Sequence, residues 1–495
     1  MRTSFLKLML SSALSAVLIV NVSLSSAQDF NDVPNDLKYT LSVFDSRIYS
    51  SLFGTDEMRA VYNDERLIEY WLSVEVALAK AQAKYGMIPL EAAQEIKKVA
   101  KFSNIDLAKL KQATGKVGRP VDGLVRQLRA LNPTVKAYVH LGSTTQDVMD
   151  TATVLQMLDG INIVEAQLKK LILKLADISE QYKSLPMVSR TNGQDALPTT
   201  FGMMTASYMS ELSRNLTRLR AAKEAVAVGQ IGSAVGTLSS MGPDGLKIQE
   251  EALKILGLKV PDISWNASRD NYAAVVQALG LINGTMGRIA QDINLWSRTA
   301  DNAVNEGEGG ASSTMPQKRN PRASEFLGGL AAMSRIREAG ALEMLQQSET
   351  RQGAPWISEW STIPEMFMIT STSLERANRL FNKIIIKPQV MSERFNDSKY
   401  FVMAEAVQQE IAKKVGLGKS HSMVVDAIKK APKNSDFYEV LSKDPEISKI
   451  LPEADIKRVL NPENYLGHAS ALVERAVSIA RENCVKEPLH KRWVI

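Results

Sequence analysis

The longest regular pattern in the chain is a stripe of apolar residues between Val154 and Tyr182. Its members recur at a mean spacing of about 3.5 residues, the period of a helix that packs lengthwise on other helices. Similar long helical patterns run from about Thr199 to Val228, from Arg269 to Ala303 and from Arg322 to Gln347, without a proline after the first turn. Four long helices in one region predict a bundle core.

Shorter patterns flank this region and predict helices over Glu65–Tyr85 and Leu90–Lys101. Alternating strand patterns are rare, and Ile384–Ile386 is the best short candidate. Lys387 and Pro388 mark a plausible break after the long helices. The sequence therefore predicts an all-α fold of three domains: an N-terminal helical domain at residues 28–138, a central helical bundle at 139–386 and a C-terminal helical domain at 387–495.

Composition narrows the class of protein. Apolar residues make up 45% and charged residues 23% of the 495 residues, which excludes a disordered chain, a collagen-like repeat and a polytopic membrane protein. Lys and Arg outnumber Asp and Glu by only 60 to 54, and the cations form no clustered basic face in the sequence. We therefore expect no nucleic-acid partner, whereas a small anionic substrate suits the modest positive charge.

The first 27 residues have the layout of a secretory signal peptide. Arg2 and Lys7 precede a mostly apolar run, and Ser25-Ser26-Ala27 offers small residues for cleavage near Ala27. An uncleaved anchor is the alternative, but the run is short and contains serines and an asparagine. We expect a periplasmic or secreted protein without a membrane association after cleavage. Its single cysteine, Cys484, excludes an intrachain disulfide.

Two polar segments stand directly before long helices. The first covers residues 140–147 and begins at His140, and the second covers residues 189–200. Their hydroxyl and amide groups can bind a carboxylate at the start of a helix. The alternative is that both segments only cap the helices that follow them.

A third segment, residues 309–321, is the least ordinary part of the chain. It combines paired glycines with the hydroxyls of Ser312 and Ser313, the cation of Lys318 and the amide of Asn320. A serine is a poor base until backbone N–H groups or a nearby cation stabilise its alkoxide, and this loop can supply both. The alternative is a flexible loop between two helices.

Other catalytic schemes find little support in the sequence. The chain has four histidines and lacks the HExxH, CxxC and EF-hand patterns, so no metal site is predicted. It also lacks the GxSxG elbow and the Walker loop.

The third segment resembles the signature loop of the fumarase/aspartase superfamily, usually written G-S-S-x-M-P-x-K-x-N-P. This chain differs by Ala311, which is inserted between Gly310 and Ser312. Segments 140–151 and 190–202 resemble the first and second active-site regions of the family, and residues 231–238 with Arg269-Asp270 also fit. The ending at residues 461–467 resembles the branch that contains 3-carboxy-cis,cis-muconate cycloisomerase and adenylosuccinate lyase.

The resemblance implies a three-domain helical fold whose central bundles pack into a homotetramer. Each active site would then combine the three regions from three different subunits. The implied reaction abstracts a proton next to a carboxylate and expels a group from the neighbouring carbon, without metal or organic cofactor. The muconate branch runs an equivalent addition–elimination within one molecule.

The resemblance also implies roles for individual residues. Ser312 matches the base, and Lys318 and Asn320 match the pair that binds the substrate carboxylate. Fixed donors and cations suit this chemistry, because the intermediate places extra negative charge on that carboxylate. Further residues match substrate-binding positions: Thr144, Thr145, Arg190, Thr191, Asn192, Gln194, Ser313 and Arg351. Glu325 matches a supporting carboxylate that pairs with the catalytic histidine in relatives.

Three departures from the family pattern concern proton transfer. Asn192, Asn266 and Gln317 stand where relatives commonly carry histidine, and the first of these histidines is the general acid. An asparagine binds a substrate but delivers no proton at neutral pH. Either the leaving group needs no proton from the enzyme, as with an amine that arrives protonated, or His140 has taken over as the acid.

The expected function is an exported, cofactor-independent lyase that cleaves a C–N or C–O bond of a dicarboxylate-type substrate, and we expect amines to be preferred over hydroxy acids as leaving groups. Two alternatives remain open at this stage. One is a cycloisomerase of the carboxymuconate type, and the other is a non-catalytic homologue that only binds a dicarboxylate.

Overall fold

A computed structural model of the protein describes residues 42–432 and 434–485. The predicted signal segment, residues 1–27, lies outside this part of the chain. Residues 42–53 belong to a first unit and contain a short 3-10 turn at Ser50–Leu52. The chain from Gly54 onward forms one compact, mainly helical unit. The prediction of an all-α protein is confirmed.

Six helices precede the bundle. They are α1 (Asp56–Tyr62), α2 (Asp64–Lys84), α3 (Leu90–Val99), α4 (Leu107–Val117), α5 (Pro120–Arg129) and α6 (Pro133–Tyr138). Local sequence sets their starts, because the side chains of Thr55, Asn63, Asp106 and Asn132 accept hydrogen bonds from backbone N–H groups of the first turn. A proline is the first residue of α5 and of α6. At this position a backbone N–H would have no hydrogen-bond partner within the helix, so proline removes no helical hydrogen bond.

The central region contains five long helices and one shorter helix. They are α7 (Thr145–Gln181), α8 (Phe201–Val226), α9 (Gly245–Leu256), α10 (Asp270–Trp296), α11 (Arg322–Glu343) and α12 (Gly353–Lys383). The apolar stripe predicted from the sequence lies on the side of α7 that faces the bundle core, where Leu158, Leu168 and Leu175 are buried. The bundle packs α7 on α8 and α12, and α10 on α8 and α11. The four predicted long helices are therefore confirmed.

The fifth long helix, α12, was not predicted. Its sequence carries Pro355 in the first turn and Pro364 in the interior. An interior proline removes a backbone donor and normally kinks or breaks a helix, so the pattern did not indicate one continuous element. Burial of Met366, Phe367 and Ile369 against the bundle accompanies the proline. Packing has outweighed local preference here.

Three small antiparallel pairs complete the central region. Strands β1 (Pro186–Thr191) and β2 (Gln194–Thr200) form a hairpin. Strand β3 (Val304–Asn305) pairs with β6 (Ile385–Ile386), so the predicted strand at Ile384–Ile386 is found with its partner. Strands β4 (Gly310–Ala311) and β5 (Arg319–Asn320) form the base of the signature loop.

The C-terminal helices are short except the last. They are α13 (Pro388–Asp397), α14 (Ala404–Val415), α15 (Leu417–Lys430), α16 (Phe437–Lys443), α17 (Ile447–Ile450), α18 (Glu453–Leu460) and α19 (Ala469–Val485). Residues between Met403 and Leu460 build a separate apolar core. The final helix, α19, packs instead on α7 and α8 of the bundle. Across residues 42–432 and 434–485, none of the helices combines the length and apolarity needed to cross a bilayer.

Candidate active site

The signature loop is a tight hairpin that places Ser312 at the end of β4. The Ser312 Oγ accepts hydrogen bonds from the backbone N–H groups of Met315, at 3.1 Å, and Thr314, at 3.4 Å. The N–H of Lys318 donates to the Met315 carbonyl at 3.0 Å and closes the turn. N–H groups aimed at Oγ stabilise the negative charge of an alkoxide. The loop therefore offers Ser312 the support that a serine base requires.

The cation of Lys318 remains available to a substrate, whereas the amide of Asn320 has a partner within the loop. Within the described part of the chain, the Lys318 side chain has no carboxylate partner, and Ser313 is exposed. The Asn320 Nδ2 donates to the Gly310 carbonyl at 3.3 Å across the hairpin. One strong anchor fixes the loop to α11, because the buried Glu306 accepts from the N–H groups of Ala323 and Ser324. The base of the loop is thus attached to the start of α11, while residues 313–319 at its tip are exposed.

Glu325 lies in the first turn of α11 beside this loop. Its carboxylate forms an ion pair with Arg322 at 2.8 Å, and both side chains are exposed. The family resemblance predicts a supporting role for Glu325 toward a histidine, and that role stays a prediction. In the structure the partner of this carboxylate is Arg322.

The first polar segment joins α6 to α7 and is held by Asp147. This buried carboxylate accepts from the backbone N–H groups of Thr144 (3.0 Å), Gly232 (2.9 Å) and Ser233 (3.0 Å). Burial raises the pKa of Asp147 to about 6, although these hydrogen bonds oppose the shift. The contacts fasten residues 231–242 to the start of α7. The capping interpretation of the segment is confirmed, and Thr144 and Thr145 remain half-exposed.

His140 forms the most distinctive contact of this segment. Its Nδ1 lies 2.6 Å from the Oε1 of Glu75, a residue of α2 whose side chain is 1% exposed. Burial lowers the pKa of His140, but the charge and hydrogen bond of Glu75 outweigh burial and leave the pKa raised. His140 also adopts a left-handed backbone, with φ of 63°. The pair keeps the imidazole protonated to higher pH, as a proton donor requires.

A buried ion network lies one turn further along α7. Asp150 receives both Nη groups of Arg269, at 2.8 and 3.1 Å, and the Arg269 Nε pairs with Glu359 at 2.9 Å. Burial raises the pKa of Glu359 to about 8. The Trp356 Nε1 donates to Asp150 at 3.0 Å. These contacts fix the starts of α7, α10 and α12 relative to one another. Of the residues in this network, only Arg269 was predicted from the sequence.

The second polar segment is a β-hairpin rather than a loop that only precedes a helix. Asn192 and Gly193 form its turn with φ of 52° and 78°. Two consecutive positive φ values are typical of a tight hairpin turn, and Asn-Gly is its favoured sequence. Thr200 at the end of β2 does cap α8, by accepting from the Met203 N–H at 3.0 Å. The capping prediction holds for this one residue.

The hairpin presents four of the predicted site residues at its exposed tip: Arg190, Thr191, Asn192 and Gln194. The Arg190 guanidinium pairs with Asp195 at 3.0 Å and with Asp301 at 2.5 Å. Arg394 of α13 pairs with the other oxygen of Asp195 at 2.9 Å. The charge of Arg190 is therefore already compensated in this chain, and its contacts brace the hairpin.

The three segments occupy separate neighbourhoods. Among residues 42–432 and 434–485, no hydrogen bond or ion pair joins the hairpin tip, the start of α7 and the signature loop to one another. Arg351 does join the first segment, because its Nη1 lies 3.5 Å from the Oε1 of Gln146 in α7. In the same part of the chain, no group of three His, Cys, Asp or Glu side chains could hold a metal ion.

The helical bundle and the serine-bearing hairpin define a lyase-type protein. The family model described as "Lyase" matches residues 53–334, and the model described as "Adenylosuccinate lyase C-terminus" matches residues 401–476. The chain belongs to the fumarase/aspartase superfamily, as the signature loop predicted.

Relatives of this chain include enzymes with different named activities. N-acetyl-S-(2-succino)cysteine lyase of Enterococcus italicus is 34% identical over 88% of this chain and 97% of that protein. The 3-carboxy-cis,cis-muconate cycloisomerase of Acinetobacter baylyi is 33% identical over 88% of this chain and 99% of that protein. The crystal structure of 3-carboxy-cis,cis-muconate lactonizing enzyme from Pseudomonas putida superposes with a TM-score of 0.84 and 30% identity, and covers 88% of this chain and 100% of that one.

Proposed function

We propose that this protein is a cofactor-independent lyase that eliminates a group from a dicarboxylate-type substrate and releases fumarate or a related unsaturated acid. Asn192 is the observation that defines the preferred substrates. It stands at the exposed tip of the hairpin, where the general acid of the family would lie, and its amide delivers no proton. The leaving group must therefore depart without a proton from this position.

Two kinds of leaving group meet this condition. A protonated amine already carries its proton, so breaking the C–N bond yields a neutral amine. A thiol has a pKa of about 8.5, so a thiolate leaves readily near neutral pH. The relative from Enterococcus italicus, whose name contains an S-linked succinyl group, supports the second kind. An alkoxide from a hydroxy acid is far more basic, and its C–O bond should break slowly.

The proposed step uses the residues of the signature loop. The Ser312 Oγ accepts the proton from the carbon next to a carboxylate, and that C–H electron pair becomes the new C=C bond. The bond from the neighbouring carbon to nitrogen or sulfur breaks, and its electron pair leaves with the heteroatom. Lys318 and Asn320 bind the carboxylate whose negative charge grows during this step. The hydrogen bonds from Thr314 and Met315 to Oγ support the base.

We further propose a homotetramer with shared active sites, three domains with the boundaries expected from sequence, and export. Separation of the three polar segments within one chain supports shared sites, because a complete site needs all of them. The layout of residues 1–27 supports export to the periplasm or medium. Mass spectrometry of the mature protein should find an N-terminus near Gln28, and an intact Met1 would contradict cleavage.

A second candidate is a cycloisomerase of the carboxymuconate type. The TM-score of 0.84 with the lactonizing enzyme and the shared family membership favour it. In that reaction the departing group stays within the same molecule. A binding protein without turnover is the third possibility. The missing acid at Asn192 favours it, whereas the retained Ser312, Lys318 and Asn320 count against it.

A substrate panel tests the primary proposal. N-succinyl and S-succinyl amino acids, malate and carboxymuconate are incubated with the full chain, and the unsaturated acid is followed by its ultraviolet absorbance. We expect elimination from the amine and thiol adducts and little from malate. Full-rate dehydration of malate that disappears in His140→Gln would show that His140 is the acid and that the leaving-group argument is wrong. Turnover of carboxymuconate alone would favour the cycloisomerase.

A further inference from the structure

Two arginines, Arg119 and Arg351, lie at the starts of α5 and α12 and influence each other electrostatically. Arg119 is the residue directly before α5, and Arg351 lies two residues before α12. A Cβ added to Gly353 would lie 3.5 Å from the Arg119 Nη2, so the Arg119 guanidinium reaches the start of α12. The Arg351 Nη1 lies 3.5 Å from the Gln146 Oε1 in the first turn of α7. Arg351 therefore contacts the first turn of α7, next to Thr145, and Arg119 reaches the start of α12, two residues from Arg351.

In the described part of the chain, no carboxylate neutralises either arginine. The Arg119 Nη1 donates only to the neighbouring Gly118 carbonyl, at 2.6 Å. Neither guanidinium forms an ion pair with a carboxylate of the described chain, whereas the nearby Arg269 pairs with Asp150. Burial and the positive charge of Arg351 together lower the pKa of Arg119. Two like charges near each other repel, and an anion bound between them would offset this repulsion.

A platform of two tryptophans fixes the orientation of Arg119. Its Cζ lies 4.7 Å from the ring centre of Trp356 and 5.3 Å from that of Trp360. The two rings meet edge to face, with centres 5.8 Å apart. Trp356 is buried and locked by its hydrogen bond to Asp150. A guanidinium stacked on a fixed ring keeps its N–H edge free, in the plane where a carboxylate binds with two hydrogen bonds.

We propose that Arg119 and Arg351 form a subsite for an additional carboxylate of the substrate, separate from the carboxylate that the signature loop binds. This subsite rests on the proposed function, which identifies the dicarboxylate portion of the substrate that undergoes elimination. It adds that the substrate carries a third carboxylate, on or near its leaving group. Arg119 is then a specificity-determining residue, and Trp356 and Trp360 position it.

Direct binding tests the subsite without turnover. Isothermal calorimetry compares tricarballylate, which has three carboxylates, with succinate, which has two. Wild-type protein should bind tricarballylate more tightly. In Arg119→Met and in Arg351→Met, tricarballylate should lose about 10- to 100-fold in affinity while succinate changes less than about twofold. Arg119→Lys should recover only part of the loss, since a lysine lacks the planar fork.

Arg126→Met is the matched control, because Arg126 is an exposed arginine of α5 that pairs with Asp122. An equal loss in this control would show a general charge effect and would overturn the subsite. Equal losses for succinate and tricarballylate in Arg119→Met would also overturn it, as would unchanged affinities. Inorganic phosphate that binds through Arg119, without any advantage for tricarballylate, would assign the site to phosphate and refute the carboxylate. If Arg119→Met unfolds, Arg351→Met decides, because its side chain is exposed.

The same experiment separates the subsite from the proposed function. A selective loss of tricarballylate binding supports the subsite even if no adduct is eliminated, in which case only the lyase proposal fails. If adducts are eliminated and Arg119→Met leaves the KM of a three-carboxylate substrate unchanged, the lyase proposal stands and the subsite is wrong.

Discussion

Glu75 and His140 form a buried carboxylate–imidazole pair across 65 positions of sequence, with 2.6 Å between Oε1 and Nδ1. The second oxygen of Glu75, Oε2, is buried and has no hydrogen-bond partner in the described chain. Glu75 therefore directs its charge at one imidazole. This relationship gives the chain a histidine that stays protonated to higher pH, next to a segment that is otherwise built from hydroxyls and amides.

Replacing Glu75 should lower the pKa of His140. Glu75→Gln removes the charge that raises this pKa and leaves burial, which lowers it. An NMR titration of the histidine ring signals should show His140 losing its proton at lower pH in the variant. Glu65→Gln, at an exposed position of the same helix, is the control and should leave His140 unchanged. An unshifted His140 in Glu75→Gln would remove Glu75 as the cause.

The same pair should make stability depend on pH in a defined direction. The folded pKa of His140 is raised above its unfolded value, so its contribution is complete below about pH 6.5 and is lost as pH rises through the folded pKa. The free energy of unfolding of His140→Gln, measured in urea, should therefore fall further below wild type at about pH 6 than at about pH 9. A larger deficit at the higher pH would contradict the assignment.

Removing the Ser312 hydroxyl should stop the reaction and spare binding. Ser312→Ala should reduce kcat by about 10²- to 10⁴-fold, the usual contribution of a positioned base, while succinate still binds. Thr314→Ala is the control in the same turn, because only the Thr314 backbone N–H contacts Oγ. The measurement is the stopped-flow and steady-state rate of elimination from an N-succinyl or S-succinyl amino acid that the wild-type protein cleaves. A kcat close to wild type in Ser312→Ala would exclude it as the base.

Lys318 should matter more in the transition state than in the bound substrate. Its charge is needed most as the carboxylate gains electron density, so Lys318→Ala should lower kcat on the order of 10–100-fold and raise KM as well. Arg319→Ala, which removes the neighbouring cation of the loop, should change both parameters only slightly. If KM alone rises in Lys318→Ala, the lysine binds the substrate and the transition state equally and does not contribute to the chemical step.

Mixed oligomers test the shared site. Ser312→Ala chains and Thr145→Val chains are each expected to be inactive. Unfolding and reassembling them together should restore some activity, because certain sites then receive an intact Ser312 loop and an intact Thr145 segment from different chains. Each variant refolded alone is the control. A fully active monomer, shown by light scattering under assay conditions, would refute sharing.

The long helices could be predicted because the residues that each helix buries are apolar and recur with the period of the helix. Stripes such as the one through Leu158 and Leu168 are buried along their whole length. Helix α12 escaped prediction, since Pro364 interrupts its local pattern and only the surrounding bundle compensates. The hairpin at residues 186–200 was not predicted, although the Asn192-Gly193 pair is a hairpin signal that could have identified it.

The sequence alone allows the motif residues of the candidate site to be named, but not the residues that contact them. Ser312, Lys318 and Asn320 lie close together in sequence, so one segment shows the whole group. Glu75 is flanked by Val74 and Val76 in α2, and no periodicity links it to His140. The stacking of Arg119 on Trp356 likewise depends on the way α5 and α12 meet. Such pairings arise from packing, which a single sequence does not display.

The backbone of the hairpin turn has a consequence for how this protein can change over generations. Asn192 sits at a φ of 52°, a conformation that strains most side chains and that asparagine, aspartate and histidine accept more readily. His140 already adopts a φ of 63° in this same chain. An imidazole at position 192 would therefore need no rebuilding of the turn. Asparagine and histidine codons differ by a single base, so a histidine at position 192 is one mutation away, and an evolving chain can exchange the two residues without a misfolded intermediate.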